Sequence, residues 1–347
     1  MRAFHVRDHG DLSALERVEL PRPVPAAGEA LVRVHSCGLN HLDLWLRRGV
    51  PGHTFPLPLV PGSEIAGTIE ELGPGVTGFT PGDAVLVAPG LSCGLCPRCL
   101  AGDDPLCRDY GILGETRDGG YAEYAVVPVR NLMAKPANLS FAEAAAIPLV
   151  FLTAWHMLEG RARLRPLETV LVHAAGSGVS SAAIQIARLF GARIIVATAG
   201  SDDKLERARE LGATHVANYR TEDFVKVAKQ ATGGAGVDVV VDHVGGEVFE
   251  RSLRALARGG RIVLCGATTG GEATVNLRAV FFKGLSILGS TMGSLEQMKR
   301  LLRHFETGEL RPILAETFPL EQAREAQAAL ESRRAFGKIV LTMGAGA

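Results

Sequence analysis

Aromatic residues are scarce in this chain: two Trp, four Tyr and thirteen Phe make up 5% of its 347 residues. A core of this size must therefore be filled with aliphatic side chains and alanine, and a 47% hydrophobic content supplies them. No apolar run approaches the roughly 18 to 20 residues that cross a bilayer, so no membrane partner is expected. An excess of either charge is also missing, with 37 basic and 37 acidic residues. That balance leaves no field to gather nucleic acid, which is not expected as a partner. The opening MRAFHVRDHG has no apolar segment of the kind that makes a secretory leader. Disulfide scaffolding is excluded too, because four of the six cysteines crowd into one segment instead of spreading along the chain. A reducing, cytoplasmic setting is expected.

What is present falls into two textures, and the length suits two domains. Up to about residue 140 the chain reads as short β-branched strands, such as EALVRVHSCGL, IAGTIEELG and DAVLVAPG, punctuated by Gly and Pro. This predicts a compact, largely β domain over 1–140, with the cysteine segment as a lobe near 90–110. From Ser140 the pattern changes. SFAEAAAIPLVFLTAWHMLE reads as a helix, with Ser140 and Glu143 as its capping box. Apolar strands then alternate with amphipathic helices, from TVLVHAA to LSILGST. That alternation predicts an α/β, doubly wound parallel sheet over 141–290. The remaining 291–347 is too short for its own core and is expected to pack back on the first domain.

The strand TVLVHAA runs into GSGVSSAAIQIARLFG, the place where a dinucleotide diphosphate sits on amides at a helix start. Gly176, Ser177, Gly178 and Val179 are the candidate contacts, although Ser180 or Ser181 fills the third small position where glycine is usual. An NAD site usually ends its second strand on a carboxylate that bonds the ribose 2′-hydroxyl. Here Ala199 and Gly200 stand there, and Ser201 and Lys204 follow, which favours NADP(H). Asp202 and Asp203 argue the other way, so NAD stays possible.

Cys93, Cys96, Cys99 and Cys107 have the spacing C-x2-C-x2-C-x7-C. Four thiolates on one loop suit tetrahedral zinc and leave no position open for substrate, so one structural zinc per chain is expected. A redox dithiol or an iron–sulfur cluster is the competing reading. A structural zinc supplies about 10 to 16 kcal/mol of apparent binding energy, enough to order a loop with little secondary structure.

Together CGLCPRCLAGDDPLC, VHAAGSGVSSAAIQIA and CGLNHLDLW resemble the medium-chain dehydrogenase/reductase superfamily, the fold of zinc alcohol dehydrogenases and quinone oxidoreductases. The resemblance spans essentially the whole chain and implies a GroES-like catalytic domain with a Rossmann nucleotide domain. It also places three positions where zinc alcohol dehydrogenases hold a catalytic zinc, and these are Asn40, Ser63 and Leu149. Asn, Ser and Leu do not make a zinc site, and a shifted set of Cys37, Glu64 or His41 is disfavoured. The resemblance implies Asn40 near the nicotinamide, Trp45 as a pocket wall and Thr153 against the nicotinamide. His41, Tyr219, Gly266, Ser290 and Lys338 fall at cofactor contacts, Lys338 reaching the phosphates. Asp43 and Glu64 occupy acidic positions that are often structural. His156 and His173 are expected to be packed.

The function implied is NADPH-dependent hydride transfer to an enone, quinone or other activated alkene without a catalytic metal. An alcohol dehydrogenase with an unusual metal site, and a nucleotide-binding protein without turnover, are the alternatives. A small carbonyl, enone or quinone is the expected partner, in a homodimer or homotetramer.

Overall fold

The computed structural model describes residues 1–344. It divides into two compact units, one of Met1–Leu149 with the segment from Ser294 on, the other Val150–Gly293.

The first unit is built on a seven-stranded sheet. Its spine is Glu29–Gly38, paired antiparallel with Glu64–Leu72, which continues to Ala84–Val87 and Leu132–Ala134. Tyr124–Pro128 pairs with the start of the spine strand, and the tail strand Lys338–Thr342 pairs with its end. In that last pairing Val340 faces Gly38 and Leu341 faces Cys37. Closure therefore joins residues some three hundred positions apart. Aliphatic side chains fill the interior: Val32, Val34, Ile65, Ile69, Val85, Ile339 and Leu341 are buried in one cluster. Gly67 is where two strands cross closely, since a Cβ there would lie 2.0 Å from the Arg33 carbonyl oxygen.

The second unit is a six-stranded parallel sheet. In chain order its strands are Thr169–Val172, Ile194–Ala199, His215–Asn218, Val237–Asp242, Leu256–Leu264 and Ser286–Gly289. Across the sheet the third lies at one edge, then the second, first, fourth, fifth and sixth, so strand order reverses between the first and the fourth. TVLV and IIVATA are buried at every position, as strands covered on both faces must be. The last strand forms an open edge. Beside it in sequence, the helix Leu277–Lys283 buries none of its residues, and Leu277, Phe281, Phe282 and Ile287 are all exposed.

The helix expected from Ser140 onward is divided. Ser140 Oγ does cap the Glu143 amide, and the Glu143 carboxylate accepts from the Ser140 amide at 2.8 Å. The helix stops after Phe141–Ala144, however, and resumes at Val150–Trp155. Pro148 explains the break, because it lacks an amide proton and biases Ile147 away from helical backbone. The unit boundary also lies at 149/150, beyond the expected 140. Phe141 stacks on His35 of the spine strand at 4.3 Å, which ties this short helix to the first unit. A π-helical turn, His156–Arg161, follows Trp155. Among the described residues, no helix is long and apolar enough to cross a membrane.

Candidate active site and metal centre

The four lobe cysteines converge. Their sulfur atoms all lie within 4.8 Å of one another. Cys93 and Cys99 are 3.9 Å apart and Cys96 and Cys99 are 3.6 Å apart. Zinc with bonds of about 2.3 Å in a tetrahedron needs sulfur–sulfur edges of about 3.8 Å, so the cluster fits that ion. Amides of Leu95 and Cys96 aimed at the Cys93 sulfur pull its thiol down to about 6, favouring the thiolate a metal needs. Among the described residues, no other group of three or more His, Cys, Asp or Glu side chains is placed to share an ion.

Asn40 precedes the helix His41–Arg48 and stands at the end of the spine strand. Its amide N–H donates to Asp43 Oδ2 at 2.8 Å. Lys338, the first residue of the tail strand, is buried beside it. The Lys338 Nζ lies 2.6 Å from Glu64 Oε2, donates to Asn40 Oδ1 at 2.7 Å, and donates to the Leu39 carbonyl. All three ammonium hydrogens are thus committed inside the first unit. Lys338 does not reach out for phosphates, and that expectation is corrected. A buried Glu64 carboxylate without a counter-charge would be untenable, and the tail lysine meets that need.

The Asn40 side chain is equally committed. Its Nδ2 donates to Glu64 Oε2 at 3.1 Å and to the Gly38 carbonyl at 3.3 Å, which uses both hydrogens. Glu64 Oε1 in turn accepts from the Leu149 amide at 2.8 Å. Leu149 therefore contributes backbone, and its aliphatic side chain offers no ligand. Ser63 Oγ is fully buried without a hydrogen-bond partner. Cys37 is buried with its sulfur packed on Gly62 and Gly120. Asp43 is also buried, and desolvation raises its carboxyl to about 6 against the hydrogen bonds from Asn40 and Tyr121.

In the second unit, the first strand leads through Ala174, which takes a left-handed φ of 50°, to the helix Gly178–Leu189. Strained backbone in this turn is typical of a ligand-holding loop. Ser177 caps the helix, its Oγ accepting from the Ser180 amide at 3.1 Å and its carbonyl from the Ser181 amide at 2.9 Å. Gly178 and Val179 form the first turn of this helix, where backbone N–H groups lack intrahelical partners. Ser180 replaces glycine by folding its hydroxyl back onto the His173 carbonyl at 2.6 Å. His173 itself is core, between Thr198, Ser252 and Phe224.

At the end of the second strand Gly200 is required for space. A Cβ there would lie 2.5 Å from Tyr219 Oη and 3.2 Å from Arg220 Nε. Ser201 starts the helix Asp202–Leu211. Burial lowers the Lys204 ammonium, Asp203 opposes that, and Arg220 and Arg207 add to it, so three cations surround this strand end. The two nearby acids are occupied: Asp202 accepts from Asn218 at 2.9 Å, and Asp203 bonds Ser201. Arg220 was not legible in the sequence, because only the fold lays it over Gly200.

The other candidates fall as follows. Ser290 leaves the sixth strand, its amide bonding the Leu264 carbonyl at 2.9 Å. Gly266, past the fifth strand, passes close to His243. Thr153 is buried with Oγ1 3.8 Å from Met292 Sδ. His41 and Trp45 meet edge to face at 5.1 Å, and Trp45 packs partly on the first-unit core. Tyr219 is half exposed, with its ring over Gly200.

A β-rich unit with a four-cysteine lobe, and a parallel sheet with a diphosphate turn at its strand reversal, define a dinucleotide-dependent oxidoreductase. Residues 26–137 match the alcohol dehydrogenase GroES-like domain and 178–307 the zinc-binding dehydrogenase domain. A zinc-type alcohol dehydrogenase-like protein of Schizosaccharomyces pombe is 35% identical over 94% of both chains. The quinone oxidoreductase of Rattus norvegicus is 31% identical, covering 99% of this chain and 98% of its own. A crystal structure described as an NAD-dependent alcohol dehydrogenase is 53% identical, with a TM-score of 0.95 over 99% of this chain and all of that one. The chain belongs to the medium-chain dehydrogenase/reductase superfamily and is an NAD(P)-dependent oxidoreductase of that kind.

Two outcomes follow from this geometry. Replacing one ligand, Cys96→Ser, should drop zinc from one ion per chain to none by elemental analysis and open the 93–107 lobe to protease. Asp43 is raised in the folded state, so the fold favours its protonated form. Its contribution to stability is largest near pH 4 and declines as pH rises to about 6. Denaturant titrations should show wild type losing about 2 kcal/mol relative to Asp43→Asn between those pH values, and only a few tenths of a kcal/mol more above.

Proposed function

We propose that this enzyme reduces the double bond of an enone, quinone or enoyl-type substrate with NADPH, without a catalytic metal. The supporting observation is the buried set Asn40, Glu64 and Lys338. Where zinc alcohol dehydrogenases place metal ligands stand an amide, a hydroxyl and an aliphatic side chain, Asn40, Ser63 and Leu149. The adjoining Glu64 carboxylate already has its counter-charge in Lys338. Zinc needs about three nitrogen, sulfur or carboxylate ligands, and this set does not offer them.

Bound NADPH supplies a hydride. The chain's residues then have separable tasks. Amides at the start of Gly178–Leu189 hold the diphosphate, while Lys204, Arg220, Ser201 and Tyr219 receive the 2′-phosphate. Thr153 would face the nicotinamide, and Trp45 would contact the substrate. Asn40 has no amide hydrogen left for an oxyanion, so it acts by holding the Glu64–Lys338 pair in place. A conjugated carbonyl spreads the charge left by hydride addition, which lessens the need for a Lewis acid, and water delivers the proton.

The 53% identity to a structure described as an NAD-dependent alcohol dehydrogenase favours a second reading, alcohol oxidation with NAD. Zinc content and a substrate panel separate the two. The first reading expects about one zinc per chain, turnover of enones or quinones with NADPH, and indifference to chelator. Two zinc ions per chain and chelator-sensitive alcohol oxidation would overturn it. Lys204→Ala with Arg220→Ala should raise KM for NADPH by about tenfold or more and leave KM for NADH nearly unchanged.

The open edge Ser286–Gly289 and exposed Leu277, Phe281, Phe282 and Ile287 support self-association through this face. Phe281→Glu with Phe282→Glu should sediment as a monomer, where wild type sediments as a dimer or larger.

A further inference from the structure

The helix Leu295–Glu306 opens directly after the boundary at Gly293, and its start is buried, with Ser294 5% and Gln297 7% exposed. Amides in a buried first turn need acceptors from outside the helical ladder. Ser294 and Gln297 serve each other. Ser294 Oγ accepts from the Gln297 amide at 3.3 Å, and Gln297 Oε1 accepts from the Ser294 amide at 3.0 Å. The Leu295 amide finds its acceptor elsewhere, donating to Asp104 Oδ2 at 2.8 Å across 191 positions of sequence. A carboxylate there also suits the positive end of the helix.

Asp104 belongs to the four-cysteine lobe. It opens the single turn Asp104–Leu106, and its carbonyl accepts from the Cys107 amide at 3.0 Å. The Cys107 sulfur is one of the four that converge, and it accepts from the Cys93 amide at 3.4 Å. Zinc on those sulfurs would therefore fix the turn that aims Asp104. At its far end the helix is held by Asn138, whose Nδ2 donates to the Phe305 carbonyl at 3.0 Å. All of these contacts lie in the first unit.

One peptide bond away, in the second unit, the segment Ser290–Gly293 leaves the sixth strand. Met292 is buried in it at a left-handed φ of 46°, and its sulfur accepts from the Thr153 hydroxyl at 3.8 Å. A side chain at positive φ persists only where its surroundings hold it. We infer that Asp104 is a positioning residue for dinucleotide binding, tying the zinc lobe to the helix start on which the Ser290–Gly293 segment ends. The inference rests on the reading that Ser290 and Thr153 meet the nicotinamide nucleotide. It gives the four-cysteine lobe a task beyond ordering its own loop, because a lobe that opens releases the Leu295 amide.

The test is the Kd for NADPH and NADH by nicotinamide fluorescence, with zinc per chain by elemental analysis and amide exchange over Ser290–Met298 by mass spectrometry. Asp104→Ala should keep about one zinc per chain, exchange that segment about fivefold faster and bind dinucleotide about fivefold more weakly. Asp104→Asn keeps an acceptor oxygen and should stay within about twofold of wild type in both readings. Asp104→Ala with the wild-type Kd overturns the inference and leaves the cofactor reading standing. Wild type that binds neither dinucleotide overturns both. Should Asp104→Ala not fold or lose its zinc, Leu295→Pro decides from the other partner. Proline at the first helical position removes the amide hydrogen without breaking the helix, and the extended Ser294, at φ −82° and ψ 160°, accepts a following proline. With zinc unchanged, its Kd should rise about fivefold, and an unchanged Kd overturns the inference.

Discussion

The ion pair between Lys338 and Glu64 is the constraint on which the first unit turns. Both groups are buried, at 2.6 Å, and neither is tenable alone in that interior. The pair fixes Asn40 through both its oxygen and its nitrogen, and Glu64 reaches on to the Leu149 amide. It also requires the tail strand to lie beside the spine strand, since only that pairing carries Lys338 inward. Sheet closure, local charge and the posture of Asn40 are one solution to one problem.

The two units handle charge differently. The first hides Asp43, Arg47, Glu64 and Lys338 among aliphatic side chains, and burial lifts the Asp43 carboxyl. The second keeps its cations at a strand end, around Gly200, where a phosphate can reach them. Hidden charge sets a shape, whereas accessible charge selects a ligand.

Much of this was legible in the sequence. Period and punctuation gave the parallel sheet, and spacing gave the cysteine cluster, because both depend on residues close together in the chain. The Ser140 capping box was readable for the same reason. What escaped depends on distance or on a single backbone restraint. Lys338 looked like a tail cation because its partners Asn40 and Glu64 lie about three hundred residues away. Arg220 and His243 sit one residue past features that were noticed, Tyr219 and a strand end, and only the fold lays them over Gly200 and Ser177. The helix break at Pro148 went unread, although the proline stands in the sequence at the point where the helix stops.

The strand Lys338–Thr342 has a consequence for the order of events during synthesis. The second unit is continuous in the chain and can close once Gly293 has emerged. The first cannot, because the strand Lys338–Thr342 and the Lys338 ammonium that pairs with Glu64 are translated after the second unit. A nascent chain at that point therefore has a complete second unit and a first unit that still lacks one strand of its sheet and the Lys338 ammonium. The first unit is the one exposed to chaperones and proteases until that strand has emerged.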